Sequence, residues 1–319
     1  MQPAQISGTK PSCAAADRNL ETVVNMEKHK LTSEERWKLA DLTDSFIFYK
    51  VMTDYPDLCR RLLERLLHLS IEKIELAGEK TMEIDVQAKG IRLDVYVKDM
   101  SRVFDVEMQV KNTKELPERA RYYQGIIDVD QLKSGQPYRD LKDTHIIFIC
   151  TDDIFGSGLA HYTFENLCLE NPATKLGDRG IKHFFAAENY DKIEDDDELR
   201  NVLKMLKTGK AEDCYTRELQ TCTLQEKQSA QTRRQYMEWD RALNYAREDG
   251  YDNGLHQKAL EAAENFLREN VSPEVIARCT GLSLAEVEEI KTVWSVKSKA
   301  VEQEQNSPGG IVRGVGKLR

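Results

Sequence analysis

The fold is decided by the stretch Ile91-Arg92-Leu93-Asp94-Val95-Tyr96-Val97 and, after a polar turn, Val103-Phe104-Asp105-Val106-Glu107-Met108-Gln109-Val110-Lys111. Both segments alternate apolar with polar or charged residues, and a period of two predicts β-strands. The turn at residues 99–101 favours an antiparallel hairpin. The alternation places Asp94 on the face opposite Leu93 and Val95, and Glu107 on the face opposite Val106. The sequence therefore predicts two carboxylates on one side of a sheet.

Two carboxylates that share a partly enclosed site repel each other unless a cation lies between them, and Mg²⁺ prefers such oxygen ligands. The hairpin is therefore typical of a metal-dependent site. A half-exposed strand also often carries acidic residues on a solvated face, with no chemical role. The hairpin alone leaves both interpretations open.

Length and composition set the class of protein. The chain has 319 residues, which predicts a main domain of about 200 residues with an accessory segment. It is 40% hydrophobic and 32% charged, as in a globular protein. No run of about 18 apolar residues and no signal peptide is present, so we expect a cytoplasmic protein without a membrane segment. Seven cysteines without a CxxC pair favour reduced thiols. The net charge of −9 argues against a protein that coats nucleic acid.

The order of elements predicts four regions. Residues 1–30 form a disordered lead-in, and residues 31–212 form an α/β domain with a mixed sheet flanked by helices. Residues 213–295 form a helical C-terminal region, interrupted at Gly250 and Gly254, with a helix-turn-helix-like module over 272–290. Residues 296–319 form a flexible tail. Glutamates on the second helix of the module argue against DNA binding there, because they would repel phosphates.

The sequence resembles the Rpn family of recombination-promoting nucleases and transposases, in the PD-(D/E)xK nuclease superfamily. The resemblance extends over about residues 40–190 and rests on the order and spacing of several segments. They include Leu42 to Met52, Arg92 to Asp99, Asp105 to Gln109, Leu116 to Gln124, Leu132 to Tyr138, Ile146 to Cys150 and Asp153-Ile154-Phe155-Gly156. The resemblance implies a restriction-endonuclease-like fold and Mg²⁺-dependent cleavage of DNA.

The resemblance also implies roles for single residues. Asp94 matches the metal-binding aspartate and Glu107 the second acidic ligand, while Gln109 stands where lysine is usual. Glu64 matches an acidic residue that some members place on the first core helix; the alternative is an exposed charge on a helix. An amide can orient a water molecule but carries no charge. We therefore consider whether Lys111, two residues further along the strand, returns the missing cation, or is simply solvated.

Three residues of the next predicted helix are candidates for DNA contacts, namely Arg119, Arg121 and Tyr122. Ion pairs with Glu115 and Glu118 are the alternative for the two arginines. The leading hypothesis is a Mg²⁺-dependent DNA endonuclease that promotes recombination. The alternative is a catalytically inactive nuclease fold that binds DNA or another protein. A homodimer is left open, since the C-terminal helices show no sustained heptad pattern.

Overall fold

The computed structural model of the chain describes residues 31–76, 80–82, 91–110 and 112–293. Its α-helices, numbered along the chain, are α1 (Ser33–Leu39), α2 (Ser45–Asp54), α3 (Pro56–Leu67), α4 (Leu116–Gln131), α5 (Asp197–Thr208), α6 (Cys214–Gln228), α7 (Ala230–Arg268) and α8 (Pro273–Thr280). Its strands are β1 (Glu75–Leu76), β2 (Lys80–Met82), β3 (Ile91–Leu93), β4 (Val95–Lys98), β5 (Arg102–Gln109), β6 (Asp143–Cys150), β7 (His161–Phe164) and β8 (Gly180–Ala186).

The centre of the fold is a six-stranded mixed sheet in the order β1-β4-β5-β6-β8-β7. The strands β5, β6 and β8 are parallel, whereas β4 is antiparallel to β5 and β7 is antiparallel to β8. β2 and β3 form a separate antiparallel pair. The apolar strand β6 is buried over almost its whole length, as expected where helices cover both faces of a parallel sheet. The predicted mixed α/β sheet with flanking helices is confirmed.

Helix α4 connects β5 to the parallel strand β6 and covers one face of the sheet. It begins after Glu115 with Pro117 in its first turn, where the missing N–H of proline costs no hydrogen bond. Its apolar side packs on the sheet through one core cluster, which contains Leu93, Tyr96, Val103, Leu116, Ala120, Ile126, Ile127, Ile146, Phe148, Cys150, Tyr162 and Phe184. On the opposite face, α2 contacts β4 and β5.

The predicted alternation breaks at Asp94. The chain bends there, so that the predicted first strand is divided into β3 and β4. Leu93 and Tyr96 consequently belong to the same core cluster, although an uninterrupted strand would point them to opposite faces. The expectation that Leu93 lies with Val95 on the face opposite Asp94 is therefore wrong, whereas Tyr96 lies on the same face as Asp105, with which it pairs. A bend changes the face to which the following side chains point, and the period-two pattern of the sequence does not reveal it.

The helix α7 runs through Gly250 and Gly254 without a break, so the predicted interruption there is wrong. A glycine inside a helix costs roughly 1 kcal/mol relative to alanine. Alanine, leucine, glutamate and lysine follow both glycines over residues 255–264, and these strong helix formers offset that cost. A Cβ at either glycine would meet no atom within 4 Å, so close packing does not explain their presence.

The chain divides into two compact units, one ending at Glu238 and one beginning at Trp239. In the second unit, α8 begins at Pro273 and ends before Gly281, whose φ of 77° turns the chain, and residues 284–293 are helical again. The domain boundaries expected from the sequence stay predictions. Within the described part of the chain, no helix has the length and hydrophobicity that a membrane span requires.

Candidate active site

Asp94 and Glu107 meet at the end of the β4–β5 ladder. Val95 pairs with Val106 there, and the two acidic residues come directly next to that pair on each strand. The backbone N–H of Asp94 donates to Glu107 Oε1 at 2.9 Å, and the N–H of Met108 donates to Asp94 Oδ2 at 3.3 Å. Each carboxylate is therefore held by the backbone of the opposite strand. The hairpin brings together the acidic pair that the sequence predicts.

The acidic face of β5 is buried beneath α4, whereas the sequence suggested a partly open face. Glu107 is 4% exposed and Asp105, two residues before it on the same face, is 0% exposed. Asp94 is half-buried. Charged groups in such surroundings lose much of their hydration, which is costly unless partners replace it. The identity of those partners determines what the site can do.

Asp105 is a member of this site that sequence reasoning missed. With the carboxyls ionised, neither of its oxygens accepts a hydrogen bond from the described residues. Loss of hydration, followed by the nearby charge of Asp94, raises the pKa of Asp105 well above its usual range. The signal was present in the sequence, because period-two spacing places Asp105 and Glu107 on one face.

Glu107 has partners for both of its oxygens. Oε1 accepts from the backbone of Asp94, and Oε2 lies 3.2 Å from Arg119 Nη2. Burial is nevertheless the largest influence, and together with the charge of Asp105 it raises the pKa of Glu107 despite the opposing N–H of Asp94 and the charge of Arg119. The surroundings therefore favour the protonated forms of Glu107 and Asp105 over their charged forms.

Arg119 projects from α4 into the acidic site. Its Nη1 donates to Gln109 Oε1 at 2.9 Å, and its Nη2 donates to Glu107 and also to the hydroxyl of Tyr123 at 3.0 Å. The guanidinium lies over the rings of Tyr123, at 5.2 Å, and Phe148, at 5.3 Å. These contacts fix the guanidinium of Arg119 beside Glu107 and Gln109.

The other predicted site residues lie apart from this cluster or outside the described residues. Arg121 and Tyr122 are exposed on α4. Glu64 lies in α3, where it binds Arg60 at 2.7 Å and accepts from the backbone N–H of Ile71 at 3.0 Å. These contacts tie the helix end to the following chain, which supports the structural explanation of Glu64. Lys111 falls outside the described residues.

The acidic pair fits a small divalent cation that keeps part of its hydration. Mg²⁺ is usually held by one or two carboxylates, with water and substrate phosphate as the other ligands. Within the described ranges, no group of three or more histidine, cysteine, aspartate or glutamate side chains is arranged to hold a metal ion. Asp105 next to this pair is fully buried, and its pKa is raised because burial and the charge of Asp94 outweigh the charge of Arg119. The donor set thus suits a metal with two protein ligands, Asp94 and Glu107.

The comparison with protein families gives one match. A family model described as PD-(D/E)XK nuclease family transposase matches residues 54–254, which include every strand and the helix that carries Arg119. No curated protein and no solved structure matches the chain. The match confirms the resemblance to nucleases and transposases that the sequence predicts.

Proposed function

This chain belongs to the PD-(D/E)XK nuclease family transposases, and on that premise we propose that it is a Mg²⁺-dependent endonuclease that hydrolyses DNA phosphodiester bonds. Breaks made in this way are proposed to promote recombination. The observation that supports the proposal best is the position of Asp94 and Glu107. Two carboxylates, each fixed by the opposite strand, meet beside a third, fully buried carboxyl group, that of Asp105.

The site lies where substrates bind in sheets of this kind. Glu107 and Gln109 are at the carboxyl end of β5, which is parallel to β6. The loop that follows β6 is attached to the same end, because Thr151 N donates to the carbonyl of Gln109 at 3.1 Å. Ligands of open α/β sheets bind beyond the carboxyl ends of the strands. A DNA phosphate at this edge would reach both carboxylates.

In the proposed reaction, Asp94 and Glu107 would hold the cation, and the backbone hydrogen bonds would keep the two carboxylates in place. The chemistry that a divalent cation supplies in such a site is activation of the attacking water and neutralisation of charge on the phosphate. Burial of Glu107 and Asp105 excludes bulk water from that side, which strengthens electrostatic interactions with the reacting group. Exposed Arg121 and Tyr122 are proposed to contact DNA outside the reacting phosphate.

The first test is cleavage of supercoiled plasmid by the purified full-length chain. We expect nicked and linear product with Mg²⁺ and none with EDTA. Asp94→Asn and Glu107→Gln remove charge with little change in shape, and each is expected to lower the rate at least about 100-fold, since charge stabilisation of the transition state contributes that much in other enzymes. Cleavage is measured on gels over time.

The matched control is Asp140→Asn. Asp140 is an exposed aspartate beyond the opposite end of β6, and its substitution is expected to leave the rate unchanged. Cleavage that persists in EDTA, or that Asp94→Asn leaves intact, contradicts the proposal. Binding of DNA without cleavage by a correctly folded parent chain would instead support an inactive DNA-binding module.

A further inference from the structure

The proposed reaction needs a cation besides the metal. Negative charge grows on the phosphate oxygens as water attacks, and fixed positive groups close to them lower the barrier. Gln109 stands at the position where the sequence resemblance expects lysine, and an amide cannot supply a charge. The structure places the guanidinium of Arg119 next to Gln109.

Arg119 contacts both Gln109 and Glu107. One nitrogen of its guanidinium contacts Gln109 Oε1 at 2.9 Å, and another contacts Glu107 Oε2 at 3.2 Å. Its charge therefore lies next to the amide that replaces the lysine, although Arg119 comes from a helix rather than from the strand. We propose that Arg119 provides the cation that stabilises the reacting phosphate, and that Gln109 positions its guanidinium.

The residue at position 109 supports this division of roles. A lysine there would place a second positive charge against Arg119, and like charges at such a distance repel each other. A glutamine instead offers an acceptor oxygen to the guanidinium and leaves the charge of the arginine intact. Gln109 and Arg119 are therefore a compatible pair, in which helix α4 and not strand β5 carries the positive charge.

Arg119 also keeps donors for a substrate. An arginine has five N–H groups, and the described residues accept from three of them, in Gln109, Glu107 and Tyr123. Two N–H groups are left for phosphate oxygens. The side chain is 29% exposed, so part of it is accessible to solvent. Its stacking on Tyr123 and Phe148 limits its motion.

The experiment removes the positive charge of Arg119 on α4 and introduces one at position 109 on β5. Plasmid cleavage is measured under single-turnover conditions in Mg²⁺ for the parent, Arg119→Met, Arg119→Lys and the double variant Gln109→Lys with Arg119→Met. We expect Arg119→Met to lower the rate about 100-fold to 1,000-fold, as loss of one charge-stabilising group does elsewhere. The double variant is expected to recover at least tenfold of that loss. Arg139→Met, at an exposed arginine beyond the far end of β6, is the matched control and should cleave like the parent.

A pH profile separates a catalytic cation from a structural ion pair. Arginine stays charged up to about pH 12, whereas lysine loses its proton near pH 10.4 or lower when partly buried. The double variant should therefore lose its recovered activity at high pH, while the parent does not. A structural role for Arg119 predicts no recovery and no such profile.

The inference rests on the proposed function, but the two fail in different ways. No Mg²⁺-dependent cleavage by the parent overturns the proposed function. Cleavage that depends on Asp94 but is unaffected by Arg119→Met overturns only the role of Arg119, as does a folded double variant without recovery. If Arg119→Met does not fold, Gln109→Leu replaces it. That variant removes the acceptor of a half-exposed side chain and should lower the rate about tenfold, whereas a parental rate contradicts the proposal.

Discussion

At the scale of one residue, Asp153 organises the loop that follows β6. Its carboxylate accepts the N–H groups of Phe155 at 3.1 Å, Gly156 at 3.0 Å and Gly158 at 2.7 Å. It also accepts the hydroxyl of Tyr162 at 2.8 Å. Burial opposes the charged form, yet these donors prevail and lower the pKa of Asp153. Several contacts of this loop therefore depend on the ionised carboxylate of Asp153.

We predict that Asp153→Asn destabilises the protein by about 1 to 3 kcal/mol, because an amide has one acceptor oxygen where several donors converge. Urea unfolding measures the change in the free energy of unfolding. The neighbouring Asp152→Asn is the control, since Asp152 forms an exposed ion pair with Lys207 at 3.1 Å, and such pairs contribute at most about 1 kcal/mol. Equal effects of the two substitutions would contradict this assignment.

Residues of the active site differ in how far sequence could predict them. The adjacency of Asp94 and Glu107 follows from two strands and a short turn, which are local features. The contact of Arg119 with Glu107 depends on how α4 lies across the sheet, and no period in the sequence contains that information. The sequence therefore identified Arg119 as a candidate for DNA contacts but did not predict its contact with Glu107.

At the scale of elements, three strands align a row of histidines on the face opposite α4. His145 Nδ1 lies 3.2 Å from His183 Nε2, and His183 Nδ1 lies 3.2 Å from His161 Nε2. Burial lowers the pKa of each ring, to about 4 for His161 and about 3 for His183. The neighbouring histidines reinforce the shift of His183. The folded sheet therefore keeps these rings neutral at pH values where an unfolded chain would protonate them.

This row predicts loss of stability in acid. Above about pH 6.5 the histidines are neutral in both states and contribute no pH dependence. Below it the unfolded chain binds protons that the folded chain does not, so each histidine lowers the free energy of unfolding by up to about 1.4 kcal/mol per pH unit, until the pH reaches its folded pKa. His183→Phe should reduce this slope between pH 6 and pH 4 in urea unfolding.

A histidine in the second unit provides the control. His256 is 48% exposed and lies outside the row, and His256→Gln is the control substitution. An unchanged slope in His183→Phe would show that the row takes no part in acid unfolding. The three histidines are far apart in sequence, and the strand order β6-β8-β7 aligns them, so the row could not be predicted from the sequence.

At the scale of the whole molecule, the order strand, strand, helix, strand was sufficient to predict an α/β core. A helix between two strands favours a parallel pair, and β5 and β6 are parallel. The edges of the sheet were harder to predict, because β1 and β7 are short and carry weak patterns. Helix α7 is also longer than the sequence predicts, because Gly250 and Gly254 weaken the helix without ending it.

The second unit has a core of its own, which predicts that it can lose stability without loss of the proposed site at Asp94 and Glu107. Ile276 is 0% exposed among the buried residues Ala263, Leu267, Leu282 and Val287. We expect Ile276→Ala to cost this unit about 2 to 5 kcal/mol, through lost apolar burial and the cavity it leaves. Hydrogen exchange should then rise over residues 259–290 and stay unchanged in β4, β5 and β6, with plasmid cleavage at the parental rate. Exposed Leu284, replaced by alanine, is the control. Faster exchange in β5 after Ile276→Ala would mean that the two units unfold together.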